Sequence, residues 1–263
     1  MLSCSRLVRG AQTTWNSTVL SRLYQSGPIG ADNIIRGGTT LQLPELPLFS
    51  FFEEKFKQHG DNVALIDGVN GDQMTFNELL SKSHKLASFF QGRGYGKEDK
   101  VGIHVPNCID YQSFVFGSLA AGVTFTTCNP IYTVHEVKHW LTSSRSKALF
   151  TNSKLVDIAR DAAENTDVDL LVSVDDCSVQ DSGVVNLSDI WAGGSEEFTR
   201  PNISPKDDVA CMVYSSGTTG LPKGVMLTHH NLTTNILQVC FVEGRLRGGG
   251  KPVDAKNSNL RSW

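Results

Sequence analysis

Segments of strand length and segments of helix length alternate through the middle of the chain, and this alternation restricts the possible folds more than any other feature. Apolar strands are predicted at residues 100–105, 123–127, 148–151 and 169–174. Helices are predicted between them at residues 111–121, 134–142 and 155–164. Strands that alternate with helices in this way build a mostly parallel sheet with helices on both faces. We therefore predict an α/β fold.

Further elements precede the alternating segments. A helix is predicted from Leu48, and it ends by Gly60. A β-hairpin follows, and Thr75 with Glu78 three residues later has the spacing of a capping box at the start of the next helix. That helix is expected to break at Gly92.

The carboxyl-terminal part is less regular. Residues 175–208 are polar and acidic, which indicates a surface excursion. Strands are predicted at 208–214 and 225–228, with a loop between them. A last helix is predicted at 231–240, and Asn231 is its expected N-cap.

The loop between the last two strands has the composition of a phosphate-binding segment. It reads Ser215-Ser-Gly-Thr-Thr-Gly-Leu-Pro-Lys223-Gly. Its glycines allow backbone N–H groups to approach an anion closely, and its hydroxyls can donate hydrogen bonds to phosphate oxygens. The hydroxyls belong to Ser215, Ser216, Thr218 and Thr219. Lys223 adds the positive charge that a polyphosphate requires.

This loop differs from the P-loop of kinases and GTPases. That motif needs a glycine directly before its lysine and a serine or threonine directly after it. Here Pro222 precedes Lys223 and Gly224 follows it. The predicted setting is also strand–loop–strand, whereas a P-loop leads into a helix.

The loop resembles the nucleotide-binding signature of the AMP-forming adenylate ligases, which include acyl-CoA synthetases, 4-coumarate–CoA ligases and beetle luciferases. Other segments resemble the amino-terminal part of the same family, and they lie at residues 74–80, 101–107, 116–123 and 129–133. The resemblance covers about residues 48–243 and is nearest to the 4-coumarate–CoA ligase-like branch. It implies the partial large domain of an adenylate-forming enzyme.

The resemblance also implies a two-step reaction. ATP and a carboxylic acid form an acyl-adenylate and release pyrophosphate, and CoA then displaces AMP, with Mg²⁺ as the metal. By this analogy the β- and γ-phosphates are held by Ser215, Ser216, Gly217, Thr218, Thr219, Gly220 and Lys223. These donors would neutralise charge on the leaving pyrophosphate. No catalytic residue and no metal ligand are assigned to this chain.

In that family, the adenine pocket, the Mg²⁺-associated glutamate, most of the acyl pocket and the catalytic lysine come later in the sequence. Residues 244–263 do not resemble the family's continuation, and they are rich in glycine and basic residues, which indicates a disordered tail. The expectation is a truncated ligase with little or no activity alone. The alternative is a non-catalytic nucleotide- or phosphate-binding fragment.

Composition excludes some other classes of protein. The net charge of −3 is unlike that of a nucleic-acid binder. No segment has the roughly 20 apolar residues of a membrane-spanning helix. The six cysteines form no C-x-x-C pair, which is typical of reduced thiols in an intracellular protein.

The first 31 residues have the composition of a targeting segment. Residues 1–31 contain Arg6, Arg9 and Arg22 and no acidic residue, and apolar residues recur every four positions. These features are typical of a mitochondrial transit peptide. Residues 32–47 are rich in glycine and proline and are expected to be a linker. Peroxisomal or cytoplasmic location is the alternative.

A remote alternative function comes from His135-Glu136-Val-Lys-His139, which matches the H-E-x-x-H motif of zinc proteases. The spacing places both histidines on one face of a helix. However, Lys138 would bring a positive charge close to the metal, and no third ligand is identifiable downstream. The motif is therefore expected to be an ordinary surface helix.

Overall fold

The computed structural model describes residues 43–175, 177, 183–215 and 222–246. Residues 45–233 belong to one compact unit, and the other described residues belong to a second. The described residues do not include the predicted transit peptide, residues 32–42 of the predicted linker, or the tail beyond residue 246. No helix in the described part of the chain combines the length and apolar character needed to cross a bilayer.

Helices and strands alternate as the sequence predicts. The described helices are α1 (Leu48–His59), α2 (Phe76–Gly92), α3 (Tyr111–Ala121), α4 (Val134–Ser144), α5 (Val156–Ala163), α6 (Leu187–Gly193) and α7 (His229–Leu246). The described strands are β1 (Val63–Ile66), β2 (Gln73–Thr75), β3 (Lys100–Ile103), β4 (Thr124–Thr127), β5 (Ala148–Thr151), β6 (Leu170–Ser173), β7 (Val184–Asn186), β8 (Val209–Ser215) and β9 (Lys223–Thr228). Strands β1 and β2 form the predicted hairpin.

Seven strands form one sheet in the order β7-β6-β5-β3-β4-β8-β9. All neighbours in this sheet are parallel except β8 and β9, which are antiparallel. This arrangement confirms the predicted mostly parallel α/β sheet.

The order of the strands creates a crevice at one edge of the sheet. Helix α3 connects β3 to its neighbour β4, and the next connection, through α4, returns past β3 to β5. The connection through α3 and the connection through α4 therefore run in opposite directions along the sheet. Because both are right-handed, α3 and α4 lie on opposite faces of the sheet. The carboxyl ends of β3 and β4 therefore border the crevice where ligands bind in sheets of this type.

Strand β5 is buried on both faces, and its alternating side chains join the two layers of helices. The ring of Phe150 stacks on that of Phe114 in α3, with centroids 4.2 Å apart. Leu149 belongs instead to the buried cluster that α4 and α5 form with the sheet. The buried members of that cluster are Val137, Trp140, Leu141, Leu149, Ala159 and Ala162.

A buried carboxylate fixes the segment that leads into β8. Glu53 of α1 is 5% exposed, and both of its carboxylate oxygens lie 2.8 Å from the Arg200 guanidinium. Burial by itself would raise the pKa of Glu53, but hydrogen bonds from Arg200 and Lys57 outweigh it and lower that pKa to about 2. The carboxylate therefore stays charged, and it holds Arg200 against α1.

The structure confirms one predicted cap and corrects another. Thr75 and Glu78 form the expected capping box of α2. The last helix begins at His229, two residues before the predicted start. Its capping pair is Thr228 and Asn231: the Thr228 N–H donates to Asn231 Oδ1 at 3.0 Å, and the Asn231 N–H donates to Thr228 Oγ1 at 3.2 Å. The prediction of Asn231 as the N-cap was therefore wrong, because its side chain bonds backward from inside the first turn.

The prediction of an irregular excursion at residues 175–208 was also wrong in part. Strand β7 adds to the edge of the sheet beside β6, and α6 follows it directly. Both elements are short, and no residue of β7 is fully buried. A strand of three half-exposed residues has too little apolar alternation to be recognised from sequence.

Candidate functional site

The predicted phosphate loop connects two antiparallel strands at the carboxyl end of β8. Tyr214 pairs with Gly224, and Ser215 pairs with Lys223, so the strands hold both ends of the loop in register. This pairing confirms the strand–loop–strand setting. The side chains of Ser215 and Lys223 are exposed. They are therefore accessible to an anion at the mouth of the hairpin.

The remaining predicted phosphate ligands lie outside the described residues: Ser216, Gly217, Thr218, Thr219 and Gly220. Their role stays a prediction. Ser215 and Lys223 are the members of the predicted set that the structure places, and it brings them opposite each other on neighbouring strands. A hydroxyl and an ammonium group in this position suit a polyphosphate, because both donate hydrogen bonds to oxygen.

Gly224, directly after the lysine, has a packing role that the sequence reading missed. A methyl group at this position would lie 2.9 Å from Met212 Sδ and 3.4 Å from Tyr214 Cζ. Glycine therefore lets the side chains of β8 lie closely over the backbone of β9. The sequence offers no signal for this contact, since it depends on the register of the two strands.

A pocket of about 720 Å³ adjoins the loop. It lies at the carboxyl ends of β3, β4 and β8 and extends along α4. The residues that line it are Val105, Pro106, Asn107, Tyr111, Thr127, Cys128, Asn129, Pro130, Tyr132, His135, Glu136, His139, Trp140, Val213, Tyr214 and Pro222. A cavity at this crevice, with both apolar and polar side chains in its lining, has the usual place of a ligand site in α/β folds.

Two potential nucleophiles in the pocket, Cys128 and Tyr111, are not activated for attack. Burial raises the pKa of the Cys128 thiol to about 12, and the nearby carboxylate of Glu136 adds to this effect. Burial likewise raises the pKa of Tyr111. Both groups therefore stay protonated near neutral pH, and the pocket is suited to binding rather than to attack by these side chains.

The H-E-x-x-H segment forms the first turns of α4, where its glutamate has a structural role. The Glu136 carboxylate accepts hydrogen bonds from the Thr133 N–H and hydroxyl, each at 2.8 Å, and these bonds lower its pKa. It closes the capping box of α4. His135 and His139 line the pocket, but the described residues contain no group of three or more side chains suited to hold a metal ion. Nothing here favours the zinc-protease alternative.

His229, just beyond the loop's second strand, is packed and hydrogen-bonded. Its ring is 2% exposed, and Nδ1 accepts a hydrogen bond of 3.1 Å from the Leu48 N–H. Burial lowers the pKa of His229 to about 4, so the imidazole is a neutral acceptor near pH 7. It satisfies one of the N–H groups that the first turn of α1 would otherwise leave unpaired.

Comparisons with known proteins identify the class of enzyme to which this fold and loop belong. The family model described as AMP-binding enzyme matches residues 52–254. The chain therefore belongs to the AMP-binding enzyme family.

Its relatives in this family are acid–CoA ligases. The chain is 32% identical to 4-coumarate–CoA ligase 4 of Arabidopsis thaliana over 225 residues, which cover 82% of this chain and 37% of the relative. It is 30% identical to a long-chain-fatty-acid–CoA ligase of Escherichia coli, over 78% of this chain and 41% of that protein. The chain thus spans well under half the length of these curated relatives.

Solved structures agree with this assignment. A long-chain-fatty-acid–CoA ligase from Archaeoglobus fulgidus matches with a TM-score of 0.70 and 31% identity, over 78% of this chain and 41% of that one. The luciferase-like enzyme of the mealworm Zophobas morio matches with a TM-score of 0.66 over 77% of this chain and 46% of that one, and at 20% identity it supports the fold alone.

Proposed function

We propose that this chain supplies the phosphate-binding part of an AMP-forming acid–CoA ligase. The observation that carries the proposal is the Ser215–Lys223 loop, held at the carboxyl edge of a doubly wound sheet beside a pocket. The names of its relatives support a carboxylic acid and CoA as substrates, and membership of the AMP-binding enzyme family supports ATP as the nucleotide. The reaction converts them into an acyl-CoA, AMP and pyrophosphate.

The loop acts in the first step. The carboxylate oxygen attacks the α-phosphorus of ATP, the α–β phosphoanhydride bond breaks, and its electron pair leaves with pyrophosphate. Donors from Ser215 to Gly220, together with Lys223, hold the β- and γ-phosphates and offset the negative charge that develops there. Mg²⁺ bound with the nucleotide would supply further charge neutralisation.

Replacing Lys223 with alanine is expected to weaken binding of inorganic pyrophosphate at least about tenfold, because hydrogen bonds to charged groups contribute ~1.5–3 kcal/mol. Calorimetric titration of the whole chain measures the affinity. Lys100→Ala is the matched control, since Lys100 begins β3 and so lies at the amino end of the parallel strands, away from the loop at their carboxyl end. An equal loss in both variants would indicate general electrostatics and contradict a site at the loop.

We further propose that the 263-residue polypeptide by itself has little or no ligase turnover. The part of the relatives that it matches is 33–41% of their length. The expected behaviour is binding of ATP or pyrophosphate without adenylate formation, which is the non-catalytic alternative. Pyrophosphate release from ATP with a panel of carboxylic acids tests this, and robust turnover by the purified polypeptide would refute it.

A further inference from the structure

The residue before the phosphate loop is attached to helix α4 as well as to its own sheet. The hydroxyl of Tyr214 hydrogen-bonds the hydroxyl of Ser143 in the last turn of α4. Its ring also packs against the buried cluster that α4 contributes to. One side chain therefore joins the end of β8 to a helix on one face of the sheet.

The position of Tyr214 relative to the loop is fixed by three contacts. Its backbone pairs with Gly224, one register step from the Ser215–Lys223 pair that closes the loop. The Tyr214 ring packs on the backbone of Gly224, with Cζ 3.4 Å from the position that a Cβ atom would take there. The hydroxyl bond to Ser143 then holds the far end of the ring. A change at Ser143 therefore reaches the loop through a short chain of packed atoms.

We propose that Tyr214 is a positioning residue for phosphate binding, acting through its hydrogen bond to Ser143. The bond restrains the end of β8, so Ser215, the next residue, is held opposite Lys223 and has less freedom to lose when the pair binds a phosphate. Preorganised donors bind more tightly because less freedom is lost on binding. This inference rests on the proposed function of the loop.

The test is a double-mutant cycle on pyrophosphate affinity with the whole chain. Tyr214→Phe keeps the ring and removes the hydroxyl, and Ser143→Ala removes its partner. Each is expected to weaken binding about fivefold, the typical effect of one net hydrogen bond. The double variant is expected to be no weaker than either single variant, since both changes remove the same bond. Ser143→Thr, which retains a hydroxyl, should keep the pyrophosphate affinity of the wild type.

Thr142→Ala is the matched control. Thr142 neighbours Ser143 on α4, but its hydroxyl donates to the Lys138 carbonyl at 2.8 Å and is therefore engaged within the helix. This variant should bind pyrophosphate like the wild type. Circular dichroism and urea unfolding of every variant ensure that affinity is compared between folded proteins, because a purely structural bond would lower stability and leave the affinity of the folded chain unchanged.

The outcomes separate the two proposals. If the wild-type chain binds no pyrophosphate, the proposed function fails. If the wild type binds and Lys223→Ala weakens it, but Tyr214→Phe and Ser143→Ala bind normally while folded, the positioning role fails alone. Additive losses in the double variant would also overturn it, because they would show that the two hydroxyls act separately.

Discussion

A leucine at position 117 is expected to destabilise the fold by about 3 kcal/mol or more, within the upper range for overpacked cores. Gly117 lies on α3 where this helix crosses α2. Even a methyl group there would lie 2.7 Å from Leu86 Cβ and Cδ2, and Leu86 is fully buried. Because the Cβ atom of Leu86 cannot rotate away, the helices must separate to admit the new side chain, and buried contacts of both are lost.

Urea unfolding followed by circular dichroism measures this effect, and two controls locate its cause. Gly92→Ala changes a glycine at the end of α2 where a methyl group meets no atom within 4 Å, so it should leave the stability nearly unchanged. The exchanged pair Leu86→Gly with Gly117→Leu tests the crossing itself. If the pair were as unstable as the sum of its single changes, the cost would not arise from this contact.

Lowering the pH from 7 to 4 is expected to remove about 3 kcal/mol of stability through His229 alone. The pKa of His229 is about 4 in the folded chain, against an ordinary value of 6.5. Between these values the unfolded chain binds a proton that the folded chain does not, so the free energy of unfolding falls as the pH falls. The loss begins near pH 6.5 and is complete below about pH 4, and the pKa difference sets its size.

The geometry supports this direction. Protonation would place a hydrogen on Nδ1, the atom that accepts from the Leu48 N–H, so it would break that bond inside a buried site. The carboxylate of Asp208 favours the charged ring, but it is already paired with Lys97 at 2.8 Å. Burial therefore determines the sign.

His229→Gln isolates the contribution of this residue. At pH 7 the variant should be about 1 kcal/mol less stable than the wild type, as expected for a perturbed hydrogen bond. Its stability should fall less steeply between pH 6.5 and 4, so the two curves should meet or cross. Half-buried His84 and buried His104, whose pKa values are also lowered, affect both proteins equally. Parallel pH curves would contradict the assignment.

Local patterns were sufficient to predict much of the fold and the setting of the loop between two strands. The helix predicted at 111–121 has the bounds of α3, and the Thr75–Glu78 cap is present as expected. These features depend on residues a few positions apart, so their physics is contained in short segments. The strand–loop–strand setting of Ser215–Lys223 also follows from local composition, because an apolar run adjoins the polar loop on each side.

Contacts between distant segments could not be predicted from such patterns. The pairing of β7 with the sheet edge was missed because its three residues are too few to show the alternation typical of a strand. Glutamate at 136 matches a protease motif in sequence, yet the capping geometry of α4 engages its carboxylate.

The sequence by itself determined the alternating α/β class and the family, and it predicts the residues of the phosphate loop, because composition and short-range spacing carry that information. Only the tertiary structure decided where the loop is attached. It placed the loop at the carboxyl edge beside a pocket and joined Tyr214 to Ser143, 71 residues earlier. It also made His229 a neutral cap for α1, 181 residues away in the chain. Such contacts arise from strand order and burial, which bring together residues that no local pattern relates.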